Sequence, residues 1–328
     1  MMLATLFAAI WMAGDSTMCN YNPQRQYPQQ GWGQALAEFM KDPDELHNWA
    51  IGGRSARSFK NEGRWDKIVH ELAEGDFVIV AFGHNDANKA KKERYSSPSE
   101  YKELMRGFAR DVREKGATII FATSIIHSGG VSSENGVVTG VRGGAAGIGP
   151  YVQATRELGE ELGVPVLDLN RLAVEEFAKM PAADVFKLYM RIEPGEYANC
   201  PDGKKDGCHT RDTGAFFYAK GAVEMCFKQN LPICKYFKNP AEVVHATVGF
   251  DGPGSEVKIR DDFSNEEIAY ANEENAPKVD APKPQKTWQQ EIMDLRREAY
   301  RRGMKDPEAK FWASQEFRRR QRESEKNK

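Results

Sequence analysis

Phe7-Ala8-Ala9-Ile10-Trp11-Met12-Ala13 runs straight into Gly14-Asp15-Ser16-Thr17, and this stretch decides the fold. The apolar run is continuous rather than alternating, the pattern of a strand buried on both faces of a parallel sheet. Four similar runs follow at 46–51, 76–82, 117–123 and 164–168. Helical patterns separate them. Residues 33–41 form one, and 64–73 carry Trp65, Ile68, Val69 and Leu72 at helical spacing. Residues 98–115 start at Ser97-Pro98, a cap followed by a first-turn proline. Residues 150–162 start at Pro150, and a last helix is expected at about 213–230. The alternation predicts an α/β fold: a three-layer αβα sandwich around a doubly wound parallel sheet. Such sheets carry their sites beyond the carboxyl ends of the strands.

Three polar blocks fall just after predicted strands: Gly14-Asp15-Ser16-Thr17, Gly52-Gly53-Arg54-Ser55 and Gly83-His84-Asn85-Asp86. Far downstream, Asp206 and His209 stand three residues apart before the last helix, on an expected loop. Serine, histidine and carboxylate are the parts of a nucleophilic hydrolase. A serine hydroxyl is a poor nucleophile until a histidine takes its proton and a carboxylate orients the imidazole. The middle blocks supply a backbone N–H and a side-chain amide for a developing oxyanion. Ser16 is expected to open a helix, and Asp15 to hold the turn that aims it. The alternative reading is a set of capped turns, with His209 on the surface. It leaves unexplained why the blocks follow strands.

With Gly31-Trp32-Gly33-Gln34, the run Gly52–Phe59, Glu62-Gly63-Arg64-Trp65 and Phe82–Asp86, these residues resemble the SGNH, or GDSL, hydrolase superfamily. The likeness is closer to the rhamnogalacturonan acetylesterases, carbohydrate esterases that deacetylate pectin, and covers about residues 5–238. It implies a flavodoxin-like SGNH sandwich and an acyl-serine esterase that needs no cofactor. Carried over, Ser16 is the nucleophile, His209 the base and then the acid, and Asp206 its orienting carboxylate. The oxyanion hole is Ser16 N–H, Gly53 N–H and the Asn85 amide. Arg54 and Arg57 are candidates for uronate carboxylates or, equally, for ion pairs that hold their loop. His84 is a candidate substrate contact. The implied partner is an acetylated pectic polysaccharide or oligosaccharide, with a xylan or lipid ester as the enzymatic rival and a noncatalytic sugar binder as the rival of another class. The resemblance also suggests a secreted or periplasmic protein.

The net charge of −2 gives no support for nucleic-acid binding. No run of about 18 apolar residues offers a membrane span. The apolar start lacks a basic leader and reads mainly as the first strand. His47, His70, His127 and His245 show no ligand spacing, so no metal site is expected. Of five cysteines, Cys200 and Cys208 are placed to close a short loop near His209, or to stay as two small buried thiols. The glycine-rich segment 128–149 is expected as a mobile loop and 183–205 as a second long connection, together walling a groove. Residues 1–238 are the expected catalytic domain, 239–286 an acidic, proline-containing linker, and 287–328 a charged amphipathic helical tail able to dock on the domain or a second subunit.

Overall fold

A computed structural model describes residues 8–245, with single positions at 295, 302 and 316. The expected linker and tail lie outside the described residues, apart from 239–245 and those positions. Along the chain the strands are β1 (Ile10–Gly14), β2 (Leu46–Asn48), β3 (Phe77–Ala81), β4 (Thr118–Ala122), β5 (Val131–Glu134), β6 (Val137–Val141), β7 (Val166–Leu167), β8 (Tyr189–Ile192) and β9 (Lys204–Thr210). The helices are α1 (Pro23–Gln26), α2 (Trp32–Ala35), α3 (Ala56–Asn61), α4 (Arg64–Glu71), α5 (Pro98–Glu114), α6 (Gly149–Leu162), α7 (Leu169–Phe177), α8 (Ala182–Lys187) and α9 (Asp212–Lys228).

The central sheet has the order β2-β1-β3-β4-β7, and every pairing is parallel. The inner strands β1 and β3 are buried throughout, because alternate residues enter two different cores, while the edge strand β2 is half-buried and carries His47 and Asn48. Ile10, Met12, Ile79 and Ile120 pack with Trp32, Phe39, Phe177 and Tyr218 on one face. Trp11, Ala13, Val78, Val80 and Phe121 pack with Phe59, Trp65, Phe108 and Tyr151 on the other. The doubly wound sandwich expected from the sequence is the observed fold.

Local signals explain the helices. Ser97 and Glu100 cap each other's backbone at the start of α5, with Pro98 in the first turn, an arrangement worth about 1 kcal/mol. Tyr101, Met105, Phe108 and Val112 then recur on its buried face. The chain leaves β1 for β2 on one side and later crosses to β3 on the other. That reversal opens the crevice at the carboxyl ends where the site lies.

The structure corrects several expectations. Ser16 opens a single turn rather than a helix: Met18 and Cys19 N–H both bond Asp15 O. The next turn fails because Ser16 O accepts from the Tyr21 hydroxyl at 2.7 Å, and Pro23 follows without an N–H to give. Segment 128–149 contains the β5–β6 hairpin, closed by Asn135-Gly136 with both φ positive, the pairing a two-residue hairpin turn favours. Asp206 and His209 lie on strand β9, paired with β8, rather than on a loop. Their polar stretch forms a strand because Tyr189 and Ile192 of β8 are buried and fix the pairing. All five cysteines are free thiols, so Cys200 and Cys208 are not bridged. Among the described residues no helix is long and apolar enough to cross a membrane. Residues 239–245 continue past the expected domain edge, and His245 packs against Phe216, Glu38 and Asp212.

Candidate active site

Ser16 is the half-exposed residue in the buried run Trp11–Tyr21. Asp15 Oδ1 accepts from the N–H and the hydroxyl of Thr17, at 2.9 and 2.8 Å, and so builds the turn. The Gly-Trp-Gly-Gln block buttresses it. Trp32 N–H bonds Thr17 O, and the Gln34 amide clamps Tyr21 through its N–H and carbonyl.

The two glycine-led blocks are tied to each other. Asn85 Nδ2 donates to Arg54 O at 3.1 Å. An amide –NH2 has two protons, so this bond occupies one of them. Asp86, fully buried, accepts from the Ala56 N–H that opens α3. Burial pushes its carboxyl up to about 8, against the pull of that N–H. Gly53 has φ +75°, a left-handed backbone conformation that favours glycine, and Arg94 Nη1 lies 2.9 Å from where a Cβ would sit. Arg54 pairs with Glu62 at 3.1 Å and reaches Gly52 O, while Glu62 also holds Arg64. Arg57 reaches Ser96 and Glu100. The Glu-Gly-Arg-Trp run is therefore the brace of this loop, anchored by buried Trp65.

Asp206 and His209 meet through an irregularity in β9. Tyr189 pairs with Thr210, and Arg191 with Lys205, so Met190 alone on β8 faces the four residues Asp206–His209. In a regular strand residues three apart face opposite ways; a bulge re-aims them together. Asp206 Oδ2 lies 2.6 Å from His209 Nδ1, and Oδ1 accepts from Cys208 and His209 N–H at 2.9 and 3.1 Å. Burial would raise the Asp206 carboxyl, but the His209 bond and charge and the two amides outweigh it and hold it well below the usual range. The Tyr21 ring meets the His209 imidazole edge-on at 6.5 Å while its hydroxyl holds Ser16 O. One side chain thus links the serine turn to the histidine strand.

Two more histidines crowd the dyad. His84 Nδ1 lies 3.7 Å from Cys208 Sγ, and its buried Nε2 has no hydrogen-bond partner among the described residues. Burial lowers its affinity for a proton, with Asp15 opposing and His209 and His127 reinforcing. His127 Nδ1 accepts from Gly129 N–H at 3.0 Å, which leaves the proton of the neutral ring on Nε2. Burial, opposed by Asp206 and reinforced by Arg191 and His209, holds His127 below its ordinary range. A Cβ on Gly207 would lie 2.8 Å from His127 Cε1 and 2.7 Å from Ser128 Oγ. This glycine lets the segment after β4 close on the bulge. Sequence reasoning missed Tyr21 and His127, because neither carries spacing that marks it. No group of three or more potential metal ligands is found among the described residues.

The model of the GDSL-like Lipase/Acylhydrolase family matches residues 12–188, more than half of the chain. Rhamnogalacturonan acetylesterase RhgT of Bacillus subtilis is 32% identical over 224 residues, covering 68% of this chain and 91% of that protein. Rhamnogalacturonan acetylesterase of Emericella nidulans is 41% identical over 90 residues, which are 27% of this chain and 33% of its own. The solved structure of YxiM from Bacillus subtilis superposes with a TM-score of 0.56 at 30% identity, covering 69% of this chain and 57% of that one.

Proposed function

The chain belongs to the GDSL-like Lipase/Acylhydrolase family and is a carboxylic ester hydrolase, and on that premise we propose that it removes acetyl groups from a pectic polysaccharide of the rhamnogalacturonan type through an acyl-serine intermediate. The observation that carries the mechanism is the 2.6 Å Asp206–His209 contact inside the β9 bulge, linked through Tyr21 to the Ser16 turn. The pectic substrate rests on the named relatives.

In this reading Asp206 keeps the His209 proton on Nδ1, so Nε2 is a base. His209 takes the Ser16 proton as Oγ attacks the acetyl carbonyl. Ser16 N–H, Gly53 N–H and the second proton of the Asn85 amide receive the oxyanion, each such donor being worth about 2.7–4 kcal/mol. His209 then gives its proton to the departing sugar oxygen as the C–O bond breaks. Water, deprotonated by His209, attacks the acetyl-serine; acetate leaves and Ser16 regains a proton. Since such polymers are met outside the cytoplasm, we propose an exported enzyme.

Acetate release from acetylated rhamnogalacturonan, acetylated xylan and a long-chain ester tests the substrate. Release is expected to be fastest from the first; a faster rate on xylan or lipid ester refutes the pectic reading. Ser16→Ala is expected to fold normally and lose p-nitrophenyl acetate hydrolysis. Retained activity refutes the mechanism.

A further inference from the structure

We propose that Arg191 and Lys205 form an anion subsite beside the Asp206–His209 bulge that binds the carboxylate of a uronic acid unit in the acetylated glycan. The location rests on the function proposed above, because the subsite has meaning only if the bulge is where the ester reacts.

The arginines near the glycine-led blocks are committed to the fold. Arg54 and Arg64 pair with Glu62, and Arg57 pairs with Glu100. Arg211, two residues after His209, is held by Glu196 and by the carbonyls of Tyr189 and Arg191. Arg191 differs. Its Nε donates to Ser128 Oγ at 3.0 Å, and its guanidinium carbon lies 4.6 Å over the Phe186 ring. One edge and one face are thereby fixed. Its side chain is exposed, and among the described residues neither Nη atom has a partner and no carboxylate reaches it. The free edge is the fork that matches a carboxylate bidentately.

Lys205 stands directly across the ladder from Arg191. It too is exposed and pairs with no carboxylate among the described residues. Like charges directly opposite on two strands are destabilising, so the protein carries a local cost that a bound anion would relieve. The pair abuts the site: Ser128 Oγ, which holds Arg191, also packs against Gly207 inside the bulge. A planar fork with a second cation beside it suits a planar carboxylate on a sugar ring. A neutral xylan offers it nothing.

The test uses unacetylated oligogalacturonate as an inhibitor of p-nitrophenyl acetate hydrolysis by the full chain, with the fully methyl-esterified oligomer as the uncharged control. Each variant is read as the ratio of the two inhibition constants, so general damage cancels. For the wild type the acid is expected to inhibit more strongly than the ester. Arg191→Gln should weaken inhibition by the acid about tenfold and leave the ester value, as expected on loss of a charged hydrogen-bonding group. Lys205→Gln should give a smaller loss of the same kind, and Arg191→Lys should fall between, keeping charge without the fork. Equal inhibition by acid and ester in the wild type overturns the subsite, as does a ratio unchanged in Arg191→Gln. If oligogalacturonate inhibits through Arg191 but acetylated rhamnogalacturonan is not deacetylated, the subsite stands and the proposed function fails.

Discussion

Asp206→Asn changes the chemistry of the site while keeping its shape, so it isolates what the carboxylate does. Asn Oδ1 can still accept from the N–H groups of Cys208 and His209, which hold the bulge at 2.9 and 3.1 Å. Its –NH2 would then face His209 Nδ1, where the carboxylate now sits at 2.6 Å. Two donors cannot share that contact, so the imidazole moves its proton to Nε2 and can no longer accept from Ser16. Flipping the amide restores an acceptor to Nδ1 but turns –NH2 onto two backbone N–H groups. The expected loss is about 10⁴-fold in kcat, or about 5.5 kcal/mol of barrier. Stability should fall by only about 1–2 kcal/mol, a few degrees in melting temperature. Asp206→Ala removes all three bonds and should lose the bulge as well, with a larger fall in melting temperature and activity no better. The assay is kcat and kcat/KM on p-nitrophenyl acetate beside a thermal melt. A folded Asp206→Asn enzyme within about tenfold of wild-type kcat would refute the tautomer argument. The melts carry a second check. Asp206 is held below its ordinary range when folded, so its stabilisation is present above the unfolded value of about 3.9 and is lost as pH falls further. The gap in melting temperature between wild type and Asp206→Asn should be steady at neutral pH and close in acid.

His245 lies 3.2 Å from Glu38 and 3.7 Å from Asp212; burial opposes its charge, but the two carboxylates win and raise it to about 9. A raised folded value stabilises fully below about 6.5 and loses that contribution as pH rises through the folded value, so His245→Ala should melt lower at pH 6 and converge with wild type at strongly alkaline pH. Truncation after Lys238 removes the same contact and should lower the melting temperature similarly, while truncation after His245 should leave it in place; both should still turn over p-nitrophenyl acetate. Asp86 is an acid with a raised folded value, about 8. The native state therefore binds its proton more tightly, and stability falls as pH rises from about 4 through that value; Asp86→Asn should flatten that part of the melting profile. With five free thiols, reductant should not shift the melting temperature, and thiol titration of denatured protein under oxidising conditions should count all five.

The sandwich was legible because β1, β3 and β4 are buried on both faces and read as nearly unbroken apolar runs. All five predicted strand positions are occupied by strands of the sheet. What failed to show is where tertiary pairing overrides local composition. Lys-Lys-Asp-Gly-Cys-His-Thr has no strand pattern of its own, yet it pairs with β8 because Tyr189 and Ile192 must be buried. The β5–β6 hairpin did carry a local signal, Asn135-Gly136, which the surrounding glycine and serine content masked. For the candidate site, the residue types were readable and their linkage was not. Nothing local announces that the Tyr21 hydroxyl reaches back to Ser16 O while its ring meets a histidine 188 positions on, the difference between 209 and 21. Arg54 and Arg191 look alike in the sequence. Only the fold shows that one is spent on Glu62 and the other is held by Ser128 and Phe186.

That linkage explains why a buried acid is tolerated next to the chemistry. The candidate oxyanion donors belong to three segments that follow different strands, two of them the glycine-led loops, and an oxyanion hole works only if its donors are fixed before the charge develops. Asn85 fastens its segment to Arg54 O, and Asp86 fastens the same segment to the N–H that opens α3. Glu62 then locks Arg54 from the far side. A neutral side chain at 86 would avoid the cost of burying a carboxyl, a cost visible in the rise to about 8. Asparagine, however, would bring two donors into a space built around an acceptor. The protein keeps the acid and leaves it protonated over the lower part of the neutral range. The stiffness of the two glycine-led loops therefore depends on a group whose ionisation works against the fold, and stability toward alkaline pH is where the arrangement is weakest.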